Sequence, residues 1–73
     1  MSRFYFHVHV GPVIVDETAK RMLAAGIADV RAGTEHVYGH VVADDKFLAV
    51  ERMNTAAGFR LLPVGYPLFE VKS

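Results

Sequence analysis

The chain has 73 residues, with eight Lys and Arg balanced by eight Asp and Glu, so its formal net charge is zero. That balance excludes recruitment of nucleic acid or an anionic membrane by bulk electrostatics. The absence of cysteine excludes a disulfide framework, a zinc ribbon and thiol chemistry. About half the residues are apolar and no apolar run approaches the ~20 residues of a membrane helix. The N-terminus lacks the continuous apolar core of a signal peptide. The expectation is one soluble cytoplasmic domain spanning 1–73, without nucleic-acid or membrane partners. A core this small, without disulfides, calls for support from a partner chain, so a homodimer or higher homo-oligomer is expected.

Phe4 to Val10 is rich in aromatic and β-branched residues and predicts a strand. Alternation puts Phe4, Phe6, Val8 and Val10 on one face and Tyr5, His7 and His9 on the other. Asp16 is placed to cap a helix, with Glu17 in its first turn. Ala19, Met22, Leu23, Gly26, Ile27 and Val30 then recur at spacings of three and four, so the helix is drawn to about Ala32, with Gly33 as its stop.

Glu35 to Ala43 predicts a second strand, Asp44-Asp45 a tight turn, and Lys46 to Met53 a third strand. A two-residue loop pairs His40 with Ala49, Tyr38 with Glu51 and Val42 with Phe47. Asn54 would cap a short second helix over Thr55 to Leu62, stopped by Pro63. Leu68 to Lys72 closes the chain as a strand, with Phe69 and Val71 on the core side.

The resulting βαββαβ order predicts an α+β fold: a four-stranded antiparallel sheet with both helices on one face, the ferredoxin-like plait. Val37, Val41, Leu48 and Val50 join the first strand's apolar residues beneath the helices, and Arg52 snorkels at a strand end. The opposite face gathers Tyr5, His7, His9, His36, Tyr38, His40, Phe47, Glu51 and Met53. All four histidines fall there. A solvated face would instead carry Lys, Glu and Thr. Covered by a second copy, this one becomes a cavity with titratable groups inside.

Phe6-His7-Val8, Gly39-His40 and the closing Pro67-Leu68-Phe69-Glu70-Val71 are the stretches through which the chain resembles the dimeric α/β-barrel superfamily, and within it the muconolactone isomerase-like proteins. The order of helices and strands agrees over nearly the whole chain, which is shorter than typical members. The resemblance implies a homodimer and acid–base proton transfer on a small lactone or related cyclic substrate. The heme-degrading and quinone-forming monooxygenases of the superfamily generally use an Asn and a Trp. This chain has no Trp, and its one Asn, Asn54, is read at a helix start.

Three readings of the histidine face compete. In the first, His7, His40, Glu51 and Tyr38 carry proton transfer, with Glu51 orienting a ring or acting as base, while Tyr5, His9, His36, Phe47 and Met53 line the ligand site. No cofactor is needed. In the second, the chain is a non-catalytic small-ligand or metal-binding protein on the same scaffold, with His7, His9, His40 and Glu51 as the set for a divalent metal. In the third, the rings and hydroxyls simply satisfy one another in a dimer interface.

Overall fold

The computed structural model describes residues 1–27 and 29–72. Its elements are β1 (Ser2–His9), α1 (Val15–Ala24), β2 (Asp29–Ala32), β3 (His36–Ala43), α2 (Lys46–Ala57) and β4 (Phe69–Val71). The strands form one sheet in the order β2-β3-β1-β4, with every neighbouring pair antiparallel. This is the ferredoxin-like plait, an α+β fold with the expected βαββαβ order.

The order is right although three of the six segments behind it are reassigned. The first helix ends at Ala24, not Ala32. Gly26, at φ 96°, takes a backbone conformation that ends helical repetition. Asp29 to Ala32 then run as β2; Ala28, also expected in the helix, lies outside the described residues. The N-cap is Ile14, without a side-chain cap bond, and Asp16 instead stands in the first turn with Glu17. There both acidic groups favour the positive end of the helix dipole.

The third expected strand is α2. Asp45 is its N-cap and accepts a hydrogen bond from the Leu48 amide at 2.8 Å; Gly58, at φ 83°, closes it in the left-handed region. The apolar positions Ala49, Val50, Met53, Ala56 and Ala57 repeat with helical spacing and all are buried. No short helix starts at Asn54. Asn54 lies inside α2, and its side chain holds the following loop through Leu61 and Leu62.

Both helices cover the side of the sheet that carries Phe4, Phe6, Val8, Val37 and Val41. Met22 and Met53 fill the space between helices and sheet, fully buried. The expected core is right for β1 and β3 and wrong at three later positions, Leu48, Phe69 and Val71. Leu48 lies on the outer side of α2, and Phe69 is 79% exposed because Tyr5 pairs with Phe69, which puts it on the opposite face. Val71, opposite Arg3, belongs to that same face and is half-buried, as is Val10.

Candidate functional site

Among the described residues, no helix or second sheet covers the sheet face opposite the helices. Strand alternation and register decide what stands on it. β1 contributes Arg3, Tyr5, His7 and His9, and β3 contributes His36, Tyr38, His40 and Val42. β2 adds Asp29 opposite His40 and Arg31 opposite Tyr38; β4 adds Phe69 and Val71. Six of the expected site residues, Tyr5, His7, His9, His36, Tyr38 and His40, are therefore brought together.

They form a continuous run of rings. His36 lies between His7 and His9, with ring centroids 4.9 Å away in each case. His7 is 5.5 Å from Tyr38, and Tyr5 is 5.7 Å from His40. The Tyr5 hydroxyl lies 3.3 Å from Nδ1 of His7. At one end, Nε2 of His9 is 3.4 Å from the Glu35 carboxylate. At the other, Nδ1 of His40 and Oδ2 of Asp29 are 2.5 Å apart.

The last contact is the shortest and most informative of the set. The hydrogen bond from His40 holds the Asp29 carboxyl below the usual carboxylate range. Desolvation pulls the other way, while the positive charge of His40, Arg31 and Arg3 adds to the lowering. Arg31 Nε lies 3.9 Å from Oδ1 of Asp29. An ionised carboxylate only accepts, so Nδ1 of His40 must carry the hydrogen and donate it. In the neutral ring Nε2 is then left with its lone pair, oriented by the strand pairing and available as a base.

Glu51, Phe47 and Met53 are not part of this face. All three belong to α2, on the helical side of the sheet. Met53 is a core residue with no exposed surface, and Phe47 and Glu51 face solvent. The carboxylate that meets a histidine is Asp29, not Glu51. Reading Asp29 as the polar side of a long helix hid it; Gly26 followed by the β-branched Ile27 and Val30 was the available signal for a break and a strand. The alternative metal set loses Glu51 for the same reason. Among the described residues, no group of three His, Asp or Glu side chains is arranged to hold a metal ion.

A pocket of about 300 Å³ adjoins the His40–Asp29 pair. It fills the corner where β2 begins opposite His40 and β3 runs on without it through Val41 and Val42. Arg3 and Arg52 also line it. No helix among the described residues is long and apolar enough to cross a membrane. No protein-family model, curated protein or solved structure matches the chain.

Proposed function

We propose that the open face is the working surface of a small muconolactone isomerase-like enzyme, with two copies packed sheet to sheet around a cavity. The observation that carries this reading is the His40–Asp29 pair, a histidine fixed in one tautomer by an ionised carboxylate. Nε2 of His40 takes a proton from a carbon next to the carbonyl of a small lactone or related cyclic substrate. The electron pair moves into the enolate, and the proton returns at a conjugated carbon, so the double bond shifts with no net loss of atoms. Asp29 stays ionised and stabilises the imidazolium formed midway. Tyr5, whose ring lies beside that of His40 and whose hydroxyl lies 3.3 Å from Nδ1 of His7, would supply the hydrogen bond to the enolate oxygen. His7, His9, His36 and Tyr38 line the cavity, with the rings of His7 and Tyr38 in contact.

Dimerisation supplies what one chain lacks. Phe69, Val42 and Tyr5 leave apolar surface exposed on the same face as the rings, and a second copy would remove it from water. The pocket beside His40, already formed in one chain, also supports the alternative of a non-catalytic small-ligand protein on the same scaffold.

The test is hydrogen exchange on unsaturated γ-lactones in D2O, followed by proton NMR, with native mass spectrometry on the same sample. Catalysed exchange by a dimer, abolished in His40→Gln, supports the enzyme. Binding without exchange favours the ligand-binding alternative. A monomer with neither activity overturns both.

A further inference from the structure

The corner pocket carries charge that the proton-transfer reading does not use. Arg3 and Arg52 both line it, and neither has a carboxylate within ion-pair distance among the described residues. The one carboxylate in the pocket wall, Asp29, is hydrogen-bonded by His40 and approached by Arg31, and the Arg3 charge reaches it only at longer range, beyond ion-pair distance. Two arginines thus line one concavity, and neither forms an ion pair among the described residues.

Their placement follows from the fold. Arg3 stands opposite Val42 in the β1–β3 ladder. Arg52 reaches from α2 to the strand edge that β2 leaves uncovered, where Nη1 donates to the Val42 carbonyl at 2.5 Å. That bond positions the guanidinium and uses one nitrogen; the rest of its planar fork remains to donate. Ile27, Val41 and Val42 give the same pocket its apolar lining.

We infer that this pocket is an oxyanion site: Arg3 and Arg52 bind the carboxylate or phosphate end of a small organic acid whose apolar body lies along Ile27 and Val42, beside His40. Bidentate arginine forks are suited to such groups, and a pocket this size takes a small metabolite-like molecule, not a polymer. The assignment of this acid as the substrate rests on the proposed proton-transfer function; the anion site itself does not.

The probe is inorganic phosphate, titrated at constant ionic strength against the intact protein and followed through backbone amide shifts. Saturable shifts are expected at Ile27, His40 and Val42. Arg3→Gln and Arg52→Gln should each weaken binding roughly tenfold, with Arg52→Lys falling between wild type and Arg52→Gln. Arg60→Gln, an exposed arginine outside the pocket, should leave it unchanged. Each variant's amide spectrum reports its folding in the same experiment. Non-saturating shifts, shifts spread over all basic residues, or undiminished binding in the Arg3→Gln/Arg52→Gln double variant would overturn the site. Phosphate binding without lactone exchange would remove the catalytic reading and leave the anion site; exchange without phosphate binding would do the reverse.

Discussion

Gly39 and Asp29 meet backbone to backbone across the β2–β3 ladder. A methyl group built on Gly39 would overlap the Asp29 carbonyl oxygen and press on Cα of Val30. Gly39 also has φ 155°, a value side chains disfavour. The absent side chain lets β2 lie close enough for the Asp29 carboxylate to reach His40, the next residue along β3. Gly39→Ala is therefore expected to cost on the order of 1–3 kcal/mol, the usual penalty for overpacking. It should also lengthen the His40–Asp29 hydrogen bond. Urea denaturation reads the first effect, and the nitrogen-15 shifts of the His40 ring read the second. A variant with wild-type stability and an unchanged tautomer would contradict the close approach.

The Asp29 carboxyl gives a pH dependence with a definite sign. Its value in the folded state lies below the ordinary carboxylate one, so the unfolded chain binds more protons in that interval. Stability therefore rises with pH there. The contribution is complete above the ordinary carboxylate value of about 4 and is lost as the pH falls through the lowered folded value. Asp29→Asn lacks it. Wild type should exceed Asp29→Asn in urea midpoint at pH 6, and the gap should narrow as the pH falls below the ordinary carboxylate value of about 4. A gap independent of pH would show that the carboxylate contributes no charge-dependent stability.

Asn54 ties the chain after α2 back onto the helix. Its Oδ1 accepts from the amides of Leu61 and Leu62 at 2.7 and 2.8 Å, and its Nδ2 donates to the Leu62 carbonyl at 2.8 Å. Removing a partly buried partner leaves these backbone groups unpaired, so Asn54→Ala should cost about 1–3 kcal/mol. Asn54→Asp keeps the acceptor but sets a carboxylate against the Leu62 carbonyl, and should fall in between. Amide hydrogen exchange at Leu61 and Leu62 should accelerate in the same rank order.

Met53 and Glu51 lie two residues apart on α2 and predict opposite outcomes. Met53→Ala opens a cavity in the core and should cost about 2–5 kcal/mol. Glu51→Gln changes an exposed side chain on the helical layer and should alter stability by less than ~0.5 kcal/mol. It should also leave lactone exchange intact. Loss of exchange in folded Glu51→Gln would mean that the catalytic carboxylate is not Asp29.

β1 and β3 were legible because aromatic and β-branched residues alternate there with titratable ones. Buried Phe4, Phe6 and Val8 oppose exposed Tyr5, His7 and His9 without exception. Six of the site residues follow from that parity alone. Lys46 to Met53 misled because Phe47, Ala49 and Glu51 also alternate plausibly with Leu48, Val50 and Arg52. The deciding features were Asp45 as a cap and a buried set continuing past Met53 to Ala56 and Ala57, which a strand ending at Met53 ignores. Asp29 was lost for a related reason. Its strand is only four residues long, too short to break the helical spacing of Met22, Ile27 and Val30 by itself. The overall order survived because one strand was hidden in a helix and one helix was written as a strand.

Neighbouring residues of β1 answer to different demands. Phe4, Phe6 and Val8 are held in the core, whereas Tyr5, His7 and His9 stand exposed on the other face. A library of single substitutions should make this visible as two interleaved combs. Selection for folded protein would tolerate change at the odd positions from Tyr5 to His9 and reject it at the even ones between. On the proposed function, selection for ligand turnover would reject both, so dividing one map by the other would leave only the odd teeth. β1 thereby carries two texts in one stretch of chain, one read by the core and one by whatever meets the open face.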